Sequence, residues 1–391
     1  MRKLTSSAAL LAVAQFIALA AHGYIYYGYE ANIFASYQIW LALVNILFPL
    51  IVSRNETRLI ASENNLEFLS LAVSWSRNIA LTLFIVLPFI THYVFSISVV
   101  VTIMAVLQAM TLALIHFAVH LTILEHSILK ANILRSASIF LPPMFVVVLV
   151  SLYRADELSV VIFHLVTTLM LLIYVVFSNK NFRNSTIAGI GLATTYRRDL
   201  LKSGVVAAIN SLARQLPLIF ISTFQNTNMT ADFALVQRIY NSPLSIIGTV
   251  AADFLKKRYK LGELIKIRAK FVFSTLAINV ILFISLLSAL MLVDQFINIE
   301  RIESLISLSF IIIAPFLIRS VASPLSVMFI LNDKFFKDMV FQMILTLATI
   351  LVFVISDTTQ SYIYAFALMT SIFYLIYGVA SYNEMSVGRN D

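Results

Sequence analysis

Twelve apolar windows, each close to the length needed to cross a bilayer, recur from one end of this 391-residue chain to the other. They fall at residues 6–27, 33–53, 78–93, 96–124, 133–153 and 158–178, then at 203–224, 231–254, 269–293, 304–331, 339–356 and 361–382. A spanning helix takes about 20 mostly apolar residues. The longest loops expected are the internal ones near residues 54–77, 179–202 and 255–268, and the more polar 179–202 separates six windows from six. Hydrophobic residues make up 60% of the chain and charged residues 12%, against roughly 25% charged in soluble domains. A water-soluble fold of this size could not hide that much apolar surface. The chain therefore reads as an all-α polytopic membrane protein with about twelve transmembrane helices. Residues 1–178 form an N-terminal six-helix lobe, 179–202 a cytoplasmic linker and 203–391 a C-terminal six-helix lobe.

The basic residues test that count. With the N-terminus inside, the internal segments hold Arg54, Arg58, Arg77, Lys130, Arg135, Lys180, Arg183, Arg197, Arg198 and Lys202. They also hold Lys256, Lys257, Arg258, Lys260, Lys266, Arg268, Lys270, Lys334 and Lys337, while the external loops hold only Arg154 and Arg301. This is the asymmetry of the positive-inside rule, and one span more or fewer in the middle would scramble it. Both termini are thus expected in the cytoplasm. The net charge of +8 reads as topology and attraction to anionic lipid, with no nucleic-acid partner. Arg2 and Lys3 ahead of an apolar stretch ending at Ala18-Leu19-Ala20 mimic a signal peptide, but the stretch is long enough to span, so a retained first helix is expected.

Several chemistries are disfavoured. Cysteine is absent, which removes disulfides, thiolate metal sites and cysteine nucleophiles. Gly189-Ile190-Gly191 lacks the rest of any nucleotide fingerprint, so no cofactor is expected. The loops are too short for an enzyme domain. His116 and His120, four apart on one helix face, have no evident third ligand, and packing or hydrogen bonding is favoured over a metal. His22 and His164 receive the same reading. Gln15, Asn45, Gln108 and Thr111 read as helix-packing contacts.

Three arginines remain after the loops are subtracted: Arg214 midway along the seventh window, Arg238 in the eighth and Arg319 near the middle of the tenth. Arg238 is about two turns, roughly 12 Å, from the external end of its helix. A central arginine costs at least ~2.5 kcal/mol in a bilayer and must face protein or water. It cannot shed its proton. Asp232, Asp253 and Asp294 all lie near window ends. Asn210, Ser211 and Gln215 flank Arg214. Arg238, Asn241, Ser245 and Thr249 form one stripe at spacings of three and four, interrupted by Pro243. Arg319, Ser323 and Ser326 form another between Pro315 and Pro324. Kinked, polar-striped helices are common along a pathway. The pattern points to a water-filled cavity, an anionic ligand, or both.

One stretch carries a resemblance. Asn210-Ser211-Leu212-Ala213-Arg214-Gln215-Leu216-Pro217 and, one helix later, 234–248 with Gln237-Arg238-Ile239-Tyr240-Asn241-Ser242-Pro243-Leu244-Ser245 and Gly248 resemble the seventh and eighth helices of Wzx-type polysaccharide (O-antigen) flippases. These belong to the multidrug/oligosaccharidyl-lipid/polysaccharide (MOP) exporter superfamily. The similarity covers about 40 residues. It implies two six-helix lobes around a central cavity and alternating access by rocking of the lobes. It implies a cargo of undecaprenyl-pyrophosphate-linked oligosaccharide crossing the bacterial inner membrane. Arg214 and Arg238 match; Arg319 lies outside the matched stretch. The expected substrate-binding set is Arg214, Arg238, Arg319, Asn210, Gln215, Tyr240, Asn241 and Ser245, with Tyr240, Asn241 and Ser245 bonding sugar hydroxyls.

The expected partners are the lipid-linked oligosaccharide, membrane lipids, a proton or sodium counter-ion, and the glycan polymerase and chain-length machinery. A cation-coupled multidrug exporter of the same superfamily is the alternative, disfavoured by the arginines and by the lack of a deep carboxylate. A glycan polymerase or ligase is disfavoured by the short external loops, and a lipid II flippase by the helix count.

Overall fold

The computed structural model of the chain describes residues 2–53, 65–95, 97–125, 128–153, 156–188, 197–260, 263–297, 300–332 and 334–385. Among them every regular element is a helix. Lipid offers the backbone no hydrogen-bond partner, so an apolar segment must pair its own N–H and C=O groups. That constraint outweighs the weak helix propensity of the many valines and isoleucines.

The chain resolves into two compact units, Met1–Thr227 and Asn228–Asp391. The first holds α1 (Arg2–Gly28), α2 (Ala31–Val52), α3 (Asn65–Phe95), α4 (Val99–Leu124), α5 (Ile128–Leu152), α6 (Glu157–Ser178), the short α7 (Lys180–Ala188) and α8 (Arg197–Thr223). The second holds α9 (Thr227–Lys260), α10 (Leu264–Ile297), α11 (Glu300–Leu325), the one-turn α12 (Val327–Leu331), α13 (Phe335–Ile355) and α14 (Thr359–Glu384).

Eleven of these helices are long and apolar enough to cross a membrane. The remaining expected span, α9, has 34 residues and is about 51 Å long at 1.5 Å per residue. Its polar stripe and charged ends keep it less apolar than the rest. Large apolar side chains point outward all along the spans, among them Phe16, Tyr93, Phe273 and Val354. On a soluble protein such a surface would aggregate; here it is the lipid face.

Three expected boundaries shift. The internal segment expected at 54–77 becomes helix from Asn65, so Arg77 is an exposed residue within α3. Of the basic stretch 255–268, residues 255–260 end α9 and 264–268 begin α10. Arg258 there complements the negative helix C-terminus. The polar stretch 179–202 contains α7 and the start of α8. α8 packs along α2 and falls in the first unit.

A glycine sets that packing. A Cβ on Gly204 would stand 2.5 Å from Ser53 Oγ and 3.2 Å from Ser53 Cβ. Ser53 ends α2 in a left-handed conformation, with φ 52°. Its hydroxyl donates to Leu50 O at 2.6 Å and accepts from Trp75 Nε1 at 3.0 Å. One small residue thus lets α8 approach a knot that already ties α2 to α3. Gly204→Ala is expected to lower stability by about 1–3 kcal/mol through overpacking. A detergent-solubilised thermal melt checks this, and Ser53→Ala in the same chain should restore part of the loss.

In the second unit, aromatic side chains fill the space around α13 and α14. Tyr377 meets Phe329, Phe341 and Phe373 with ring centroids 5.7, 5.1 and 6.1 Å away. Its hydroxyl donates to buried Asp338 at 2.6 Å. At the end of α14, Glu384 accepts from Lys334 and, at 3.1 Å, from Lys337. Asn332 Nδ2 donates to the Glu384 carbonyl at 2.9 Å. The turn around α12 is therefore pinned to the end of α14.

Candidate functional site

The membrane arginines divide between the units. Arg214 is half-buried on α8 in the first unit, three residues before Pro217. Ser211, one turn earlier, donates to the Asn45 carbonyl on α2. That contact fixes the face α8 turns to α2 and commits Ser211 to packing. Asn210 and Gln215, expected beside Arg214, are half-buried as well.

Arg238 and Arg319 are both in the second unit, each half-buried. Arg319 Nη1 reaches Asn241 Oδ1 at 3.5 Å, linking α11 to α9 by a long, weak hydrogen bond. Asn241 is three residues beyond Arg238, so both share one helix surface. The guanidinium of Arg319 lies 5.9 Å from the ring centroids of Phe316 and of Tyr374 on α14. Each is a cation–π distance. Arg319 is thus steadied by two aromatic faces and one amide oxygen.

Tyr240 lies elsewhere than its sequence role required. It is 0% exposed, packed edge-on against Phe283 at 5.1 Å and beside Phe316 at 6.1 Å. In this conformation it supports Phe316, and so Arg319, and it is closed to a sugar hydroxyl. The side chains of Ser245 and Thr249 lie outside the described residues. Just past α11, Ser326 donates to Ser323 O at 2.7 Å in the turn after Leu325.

The carboxylates sharpen the sequence reading. Asp232, in the second turn of α9, is buried and accepts from Ser304. Asp338, which the sequence reading did not weigh, is also buried. Both lie near helix ends, at the level expected for the membrane boundary.

Four histidines of the first unit, His22, His116, His120 and His164, are hydrogen-bonded. Tyr37 OH and His164 Nδ1 are 2.8 Å apart, and Gln38 Nε2 and His22 Nδ1 3.2 Å. Trp40 closes on His164 at 5.1 Å and stacks on Tyr37 at 6.0 Å. Gln108 donates to Thr168 at 2.9 Å, as the packing reading of Gln108 requires. His116 and His120 bond to each other, Nε2 to Nε2 at 3.2 Å. No group of three metal-ligating side chains exists among the described residues. A separate cavity of about 470 Å³ opens among Ser36, Phe95, Ser98, Glu157, Thr223 and Gln225. None of the expected site residues lines it.

Sequence reasoning missed Tyr374 and the role of Phe316. Nothing in the linear order connects a tyrosine on the last helix with an arginine 55 positions earlier. The crowding of aromatics at Phe373, Tyr374 and Tyr377 was the available signal.

No protein-family profile matches this chain, and no curated protein matches its sequence. Solved structures do match its fold. One is described as the inward-facing conformation of a multidrug resistance MATE family transporter of the MOP superfamily. It aligns over 95% of this chain and 94% of its own, with TM-score 0.71 and 12% identity. The outward-facing conformation of such a transporter aligns over 97% and 95%, with TM-score 0.66 and 12% identity. A MATE structure in complex with MaD5 covers 98% and 97%, with TM-score 0.64 and 12% identity. The fold is therefore the one those transporters have, over essentially the whole chain.

Proposed function

We propose that the protein is a MOP-type transporter that flips an anionic, lipid-linked oligosaccharide across the bacterial inner membrane by alternating access. The observation that carries this reading is Arg319 held between Phe316, Tyr374 and Asn241, with Arg238 one turn from the same asparagine. Arginine binds phosphate or carboxylate through a rigid fork and pairs bidentately. Cations kept inside a membrane with aromatic and amide support favour an anionic passenger over a cationic one. The whole-chain likeness to transporters seen facing both ways supports alternating access. The resemblance of 210–217 and 234–248 to polysaccharide flippases supports the glycan.

Substitutions grade the contributions. Tyr374→Leu removes one cation–π face, worth about 0.5–2 kcal/mol. A loss of export of about 2- to 30-fold follows if that interaction is needed in the loaded state. Quantifying surface glycan in cells carrying this variant checks it; export at the unaltered level would exclude Tyr374 from the site.

The second reading is a cation-coupled drug exporter. The multidrug transporters that share the fold favour it, and buried Asp232 and Asp338 supply carboxylates. Drug susceptibility of a deletion strain separates the two: hypersensitivity to cationic drugs with normal surface glycan would select the exporter.

A further inference from the structure

The paired histidines of α4 have a neighbour that sequence reading left among the loop charges. Arg135 lies in the second turn of α5, which forms an antiparallel hairpin with α4. It is half-buried, and its guanidinium has no ion pair among the described residues. Arg135 acts on both imidazoles and His120 also acts on His116, with no carboxylate among these charges. Glu125, the acid nearest along α4, is occupied by the side-chain amides of Asn179 at 3.3 Å and Asn181 at 3.0 Å. His120 is 9% exposed, and its Nδ1 has no hydrogen-bond partner among the described residues. One imidazole nitrogen and one guanidinium cation thus stand without an acidic partner among the described residues.

Depth matters as much as charge. α4 has 26 residues, about 39 Å, against a hydrocarbon core of about 30 Å. Its last turn therefore reaches headgroup level. His120 is about one turn, roughly 6 Å, from that end, and His116 one turn deeper. The positive-inside count puts this end in the cytoplasmic leaflet.

We propose that His116, His120 and Arg135 form a binding site for a lipid phosphate at the cytoplasmic leaflet. Arg135 supplies the permanent charge, and the imidazoles supply N–H donors once the phosphate draws them apart. The identity of the lipid as cargo rests on the flippase reading; the site itself does not.

The test uses the full chain with isotope-labelled histidine in phosphatidylcholine nanodiscs. His116→Gln and His120→Gln spectra assign two of the six histidine signals. Adding a polyprenyl pyrophosphate should move both signals, and adding the polyprenol without phosphate should move neither. Arg135→Gln should raise the lipid concentration required by about tenfold or more, and Arg135→Lys by less. Arg319→Gln should leave the histidine response intact, so loss of export through Arg319 and loss of this site are separate results. Phosphatidylglycerol acting at the same concentration as the pyrophosphate identifies an ordinary headgroup. A preference of about tenfold for the pyrophosphate identifies the cargo lipid. Both support a lipid-phosphate site. Signals unmoved by either phosphate lipid, or moved equally well in Arg135→Gln, would overturn it.

Discussion

Arg319→Gln is expected to reduce glycan export by about 100-fold or more, with the protein still inserted at normal abundance. The substitution keeps most of the side-chain volume and a donor, and removes the charge and the fork. Losing one partner of a desolvated, hydrogen-bonded charge pair costs about 2–5 kcal/mol, and 100-fold corresponds to about 2.7 kcal/mol. A neutral amide is also cheaper than a cation inside a membrane. Arg319→Lys should fall between: the charge stays, while planar stacking on Phe316 and Tyr374 and bidentate pairing are lost. Arg238→Gln is expected to behave like Arg319→Gln. The readout is surface glycan per inserted transporter, followed with an epitope tag. Normal export in Arg319→Gln and Arg238→Gln would sink the assignment of both arginines to the cargo path.

Trp40→Ala is expected to be the most destabilising change in the first unit, at about 3 kcal/mol, the low end for removing a buried tryptophan. Lipid is itself apolar, so transfer from water contributes little between folded and membrane-inserted unfolded states. What remains is the cavity and the lost contacts of Tyr37 and His164, which lean on the indole. Trp40→Phe should cost far less. It keeps an aromatic face, and it removes an indole N–H that has no acceptor among the described residues, so one unsatisfied donor disappears. Tyr37→Phe isolates the hydrogen bond to His164 and should cost about 1 kcal/mol. The order Ala worst, then the two phenylalanine variants, can be read from unfolding temperatures in detergent; Tyr37→Phe exceeding Trp40→Ala would mean the polar network, not packing, holds the unit.

The spans were legible because the bilayer imposes one length and one polarity on every crossing. Their ends were not, because amphipathic turns such as 65–77, 255–260 and 264–268 are helical without being apolar. The long α3, the end of α9 and the start of α10 lie in that blind spot. Arg319 and Arg238 were legible as charges in apolar windows. The frame around Arg319 was not, since Tyr374 comes from a helix far along the chain and contact depends on how α11 and α14 pack. Tyr240 shows the same limit from the other side. Its place on a polar-looking helix suggested a sugar contact, yet at i+2 from Arg238 it points to another face and packs on Phe283 and Phe316. Asp338 was overlooked because its neighbours Lys334 and Lys337 made the segment look like a loop, whereas those lysines turn to Glu384.

The most direct test is flipping by the purified chain in vesicles that contain an undecaprenyl-pyrophosphate-linked oligosaccharide on one leaflet. Membrane-impermeant chemistry then reads how much glycan reaches the other side. The unaltered protein should transfer the glycan, Arg319→Gln should lose about 100-fold, and a cationic dye should not cross. Dye transport without glycan transfer, or glycan transfer indifferent to Arg319 and Arg238, would contradict this expectation.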